Sequence, residues 1–177
     1  MVQMSTGQVP EPPTAARGFA YLAIQELATR IAHRNTGKLL TDPAGYEVMA
    51  RVASDENHHF LFYRDLAKAA LEADPSTMMA AIADEVIGFA MPGTGIPGFA
   101  EHSKAIARAG IYDLAVHHEQ ILVPVVLRHW DVEHVEGLDA EGEAARERLL
   151  AFLAKSERVG RRLAERRERD TAEPAAV

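Results

Sequence analysis

The chain has 177 residues, 47% of them apolar, which suffices for one domain with a real core; its formal charge of −7 weighs against nucleic acid as the main partner. It contains no cysteine, so disulfides, iron–sulfur clusters and thiolate zinc sites are excluded and any metal needs carboxylate and imidazole ligands. No apolar run approaches the ~18 residues of a transmembrane helix, and residues 1–14, with Pro10, Pro12 and Pro13, read as a flexible leader without the pattern of a signal peptide.

From there the elements follow one another as helices, because prolines and glycines cluster and leave long segments rich in Ala, Leu, Glu and Arg. The first helix is predicted from about Ala15 to Leu40. Thr41-Asp42-Pro43 then supplies a turn, with Asp42 as N-cap and Pro43 at the first helical position of a helix over about Ala44 to Ala73. Asp74-Pro75 repeats that start signal for a third helix ending near Met91-Pro92-Gly93. A glycine-rich loop reaches Gly98, helix resumes at Phe99, Gly110 interrupts it, and a further helical stretch runs from Tyr112 to Trp130. Gly137-Leu138-Asp139 marks the last turn, with Asp139 as N-cap of a final helix. Between Arg146 and Arg169 that helix carries nine Lys or Arg against four Glu, ordinarily a solvated face and otherwise a docking surface for an acidic protein. The organisation is thus an all-α domain over 15–169 with a disordered tail over 170–177.

Two of these helices are polar where a core helix should be apolar. Steps of three and four along the first give Phe19, Leu22, Glu26, Thr29, His33, Thr36 and Leu40; along the second they give Met49, Val52, Glu56, His59, Tyr63, Leu66 and Ala70. Buried charge in the middle of both stripes needs a partner. The short turn makes the helices antiparallel, and counted outward from Asp42 the side chains of Glu26, Glu56 and His59 stand at heights of ~24, ~21 and ~25 Å. Glu56-Asn57-His58-His59 is an E-x-x-H motif, which puts a carboxylate and an imidazole on one helical face. The three groups can converge on one ion, as in bundles that hold two metal ions between Glu and E-x-x-H helices. A hydrogen-bonded cluster without metal fits the spacing equally well. His117-His118-Glu119 does not compete, because adjacent helical residues point apart. No G-x-S-x-G or phosphate-binding glycine loop is present.

The segments Ile24-Gln25-Glu26-Leu27-Ala28-Thr29, His33-Arg34-Asn35-Thr36 and Ala53-Ser54-Asp55-Glu56-Asn57-His58-His59 resemble those of plant and mycobacterial acyl-carrier-protein desaturases. Met91-Pro92, Gly110-Ile111-Tyr112, Arg128-His129-Trp130 and the stretch from Gly137 to Gly142 extend the resemblance over roughly residues 19 to 165. It implies a ferritin-like helical bundle in which Glu26, Glu56 and His59 are iron ligands, with Glu56 able to bridge two irons. It also implies that Thr29 lies beside the oxygen-binding side and that Asp55 orients a ligand histidine. Asn57 and His58 stand where plant members carry basic residues, which removes those positions as carrier-protein contacts. The implied activity is oxygen-dependent desaturation of a fatty acyl chain on acyl-carrier protein, with electrons from a ferredoxin-type donor; separately, the lack of cysteine fits a reducing cytoplasm.

Two earlier ligand helices of the family have no counterpart, and Glu56 to His59 is the only E-x-x-H. The expectation is therefore half a centre: a fragment, a chain completed by a separate N-terminal half, or a homodimer in which two sets combine. A non-catalytic remnant of the fold and a ferritin-like metal oxidase are the alternatives.

Overall fold

The computed structural model describes residues 14–172 other than Gly93, so the leader up to residue 13 and the tail from residue 173 lie outside the described residues. Every regular element among them is helical. Helix α1 spans Ala15–Leu39, with the Thr14 hydroxyl accepting from the Arg17 amide. Helix α2 spans Pro43–Ala73 behind the expected cap: Asp42 Oδ2 accepts from the Gly45 amide at 3.0 Å, and Pro43 occupies the first turn, where its missing N–H costs nothing. Asp74 both ends α2, through its amide on the Ala70 carbonyl, and starts α3 (Pro75–Ile87), through its carboxylate on the Thr77 amide.

The α1–α2 hairpin positions everything that follows. Gly37 lets its two arms close together: a Cβ at this position would lie 3.0 Å from Met49 Cβ, tighter than side chains normally pack. The buried flank of α1, with Ala20, Ala23, Ile24 and Leu27, joins Met78, Met79 and Ile82 of α3 in the core.

Helix α3 stops at Ile87, four residues short of the Met91 break; the Gly88 amide makes its last α-helical bond, to the Asp84 carbonyl, and the Gly88 backbone then leaves the helical conformation. Helix α4 (Phe99–Arg108) follows, then the short α5 (Leu114–His117), capped by Asp113 Oδ1 on the Val116 amide at 2.8 Å. The segment His118–His129 departs from the expected α-helix: it is wound as a π-helix, its hydrogen bonds reaching five residues back, as from the Trp130 amide to the Val125 carbonyl. Pro124 sits inside it and has no N–H to give an α-helical ladder. A 3-10 turn (Val132–His134) leads to the long final helix α6 (Ala140–Ala172), which is helical through three residues assigned to the tail from sequence. Asp139 caps it through the Gly142 amide, as its position predicts.

Trp130 closes the core at the end of the π segment. It is fully buried, and its indole N–H donates to the Arg64 carbonyl at 3.0 Å, so the largest apolar side chain brings no unpaired polar atom inside.

Candidate metal centre

The hairpin delivers what the height count requires. His59 Nδ1 lies 3.5 Å from Glu26 Oε2 and 3.6 Å from Glu56 Oε2, and one donor atom from each of the three residues falls within 4.8 Å of the others. Among the described residues this is the one group of three acidic or imidazole side chains so arranged. Glu26 and Glu56 are largely buried between the helices, with 14% and 19% of their side chains exposed, whereas His59 is 59% exposed at the open edge.

Electrostatics shows what the site lacks. Burial, then the neighbouring Glu56, pushes the Glu26 carboxyl up from its ordinary range to about 7, with His59 pulling weakly the other way. Two carboxylates are thus pressed together with no adequate counter-charge from the protein. A divalent cation is the complement such a donor set accepts, since oxygen and imidazole ligands suit iron and its neighbours and the metal displaces the proton.

His33, one turn beyond Thr29 on the α1 stripe, was not among the ligands expected from sequence. Its Nδ1 stands 3.8 Å from Glu56 Oε1, beyond hydrogen-bond reach, and has no other partner. Glu56 therefore has an imidazole on either side. The seven-residue step from Glu26 to His33 put it on the same helical face, two turns along, without fixing its approach to Glu56.

Thr29 is close by in sequence but turned to its own helix: its hydroxyl donates to the carbonyls of Glu26 at 3.0 Å and Gln25 at 3.2 Å. Asp55 is not brought into the cluster. It is half exposed and its partner is Arg51 at 3.5 Å, with no hydrogen bond to His59, because one residue back from Glu56 is about 100° round the helix.

The remaining buried or paired histidines and the apolar residues that follow Asp74 lie away from the cluster. His117 is buried, accepts the Tyr112 hydroxyl at Nδ1 (2.7 Å), and stacks on Phe89 at 4.8 Å between centroids. Desolvation, then the neighbouring His118, lowers it to about 4, so it is a neutral packing residue. His129 pairs with Asp65 at 3.3 Å and His134 with Asp131 at 2.7 Å. Met78, Met79 and Ile82 are core, while Val86 and Phe89 line an apolar groove of about 580 Å³ that also takes in Met91, Phe99, Phe152 and Leu163. No helix among the described residues is long and apolar enough to cross a membrane.

Comparison with known proteins places the chain in a family. A family model described as fatty acid desaturase matches residues 3–177. The DesA1 protein of Mycobacterium tuberculosis, whose name proposes an acyl-[acyl-carrier-protein] desaturase, is 40% identical over 133 residues, covering 75% of this chain and 39% of its own. Acyl-[acyl-carrier-protein] desaturase 7 of rice, Oryza sativa, is 33% identical over 178 residues, covering 92% and 44%. The stearoyl-[acyl-carrier-protein] 9-desaturase of cotton, Gossypium hirsutum, is 30% identical over 165 residues, covering 88% and 41%. The chain thus spans about two fifths of the length of the curated relatives it matches.

Proposed function

Because the chain belongs to the fatty acid desaturase family, we propose that it contributes half of the diiron centre of an acyl-[acyl-carrier-protein] desaturase, which introduces a double bond into a fatty acyl chain carried on acyl-carrier protein. The observation that carries this reading is the convergence of Glu26, Glu56 and His59 across the α1–α2 hairpin. One Glu and one E-x-x-H are half of the set that holds two metal ions in bundles of this kind. The other half comes from a second copy of this chain or from a separate segment bearing the remaining ligands.

Two iron ions in the complete centre supply the reductive activation of dioxygen that such desaturation needs. The protein's own part is positional. Glu26, once deprotonated, would hold the metal together with Glu56 and His59, and Glu56 keeps one oxygen toward His33 and the other toward His59. Thr29 is the hydroxyl beside the oxygen-binding side, once it swings from its own helix carbonyls. Asp55, free of the cluster, is assigned to orient a histidine brought by the completing half. The apolar groove near Phe89 and Phe99 is wide enough to shelter part of an acyl chain from water. A ferredoxin-type donor and a cytoplasmic setting belong to the same proposal; the rice and cotton relatives are named as chloroplastic.

The test is an anaerobic titration of the purified chain with ferrous iron, followed by air, reductant and a saturated acyl-carrier-protein substrate. Tight uptake of about one iron per chain is expected, abolished by Glu56→Ala, with a product two mass units lighter wherever the full ligand set assembles. A wild-type chain that takes up no iron tightly is instead a helical subunit without a metal centre, and the proposal fails.

A further inference from the structure

Away from the carboxylate cluster, α1, α2 and the π segment enclose three adjoining hollows of about 390, 190 and 300 Å³. All three share Arg30; Arg34 lines two of them, Lys38 one, and Arg64 and Arg128 the largest, with Gln120 between. No Asp or Glu lines any of the three. In a chain of net charge −7 this local excess of cations is not what composition alone would place in a concave site.

The cations are also short of partners. Among the described residues Arg30, Arg34 and Arg128 form no ion pair; Lys38 has only the side-chain oxygen of Asn35 at 3.2 Å, and Arg64 alone holds a carboxylate, that of Asp65. Arg30 is half-buried, and its guanidinium is lowered by burial and then by the charge of Arg34. Like charges gathered in one groove, of which Arg30 and Arg64 are half-buried, repel one another until an anion joins them.

The secondary structure produces this arrangement. Leu27, Arg30, Arg34 and Lys38 form one stripe of α1. Opposite them stand Gln120, Pro124 and Arg128 of the π segment, spaced four residues apart, all three lining the largest hollow.

We propose that this groove binds the phosphate group of a small soluble phosphate ester or polyphosphate, at a site distinct from the carboxylate cluster. Guanidinium forks match phosphate oxygens in pairs, and hollows of this size take a ligand group rather than a flat protein surface.

The experiment is calorimetric titration with inorganic pyrophosphate at constant ionic strength. Saturable binding is expected, weakened about tenfold or more by Arg30→Gln with Arg34→Gln and by Arg128→Gln. Arg148→Gln, on α6 and paired with Asp84, should leave it unchanged. Melting curves check folding, and the exposed Arg128 keeps the test available if the double variant is unstable. Glu56→Ala should bind pyrophosphate within about twofold of the wild type, so failure of the metal centre and failure of this site are read separately. In a second arm the protein is sedimented with phosphatidic acid vesicles. No saturable binding of pyrophosphate, equal affinity in the groove variants, or retention on vesicles without binding of the free anion would each overturn the proposal.

Discussion

Glu26 is the residue on which the chemistry of the hairpin turns. Its carboxyl is raised to about 7, so in the metal-free protein the stabilisation linked to its proton is complete below an unfolded value near 4.5 and is lost as pH rises through about 7. A cation reverses that cost by replacing the proton. Metal affinity should therefore fall steeply as pH drops below about 7, and a neutral Glu26→Gln chain should melt ~3 °C higher than the wild type at pH 8 without metal, an effect of about 1 kcal/mol, while losing iron binding. Melting curves with and without ferrous iron check both signs; a Gln variant less stable without metal contradicts the account. His117 acts in the opposite sense. Its folded value of about 4 lies below the ordinary 6.5, so the stability it contributes is present above 6.5 and is lost as pH falls toward 4, on the order of 3 kcal/mol over that window. His117→Phe, which keeps an aromatic ring against Phe89, should flatten the acid limb of urea-derived stability.

At this scale the sequence was legible where spacing decides and silent where rotamers do. The step from Glu26 to Asp42 and on to His59 fixed a common height, and the three side chains meet. His33 lay on the same stripe but its nearness to Glu56 depends on side-chain direction, which no spacing reveals. Asp55 shows the converse: similarity suggested a role beside a histidine, while its place on the helix sends it to Arg51.

Among elements, the hairpin is held by features that local chemistry announces. Asp42 and Asp74 both cap a helix whose first residue is proline, and both boundaries agree with the sequence reading within a residue. Asp74→Ala should cost about 1 kcal/mol, seen as a lower urea midpoint with an unchanged slope. Gly37 matters for a different reason. Gly37→Leu, by forcing α1 and α2 apart at Met49, should cost roughly 1–3 kcal/mol and weaken iron binding about tenfold or more although no ligand is altered; unchanged affinity would mean the close approach does not set the site. The π winding of residues 118–129 was not legible, since Pro124 within an apolar run reads as a kink or an end, and only packing against α1 and α6 selects the wider turn.

For the molecule as a whole, the all-helical fold accords with the ferritin-like bundles of its family, and its core is built mainly away from the carboxylate cluster. The core lies between α1, α3, the π segment and α6, around Ile24, Met79, Ile121, Trp130 and Leu149, whereas α2 buries few of its residues and leaves Tyr46, Val48 and Phe62 exposed. The core and the carboxylate cluster thus lie on different faces of the hairpin. Ligand variants should accordingly fold, and assembly with a complementary ligand set should raise the melting temperature only when iron is present. The most direct measurement is anomalous diffraction at the iron edge from crystals grown with ferrous iron. The account requires a peak within coordinating distance of Glu26, Glu56 and His59 together; iron bound elsewhere, or no peak while these side chains keep their positions, would contradict it.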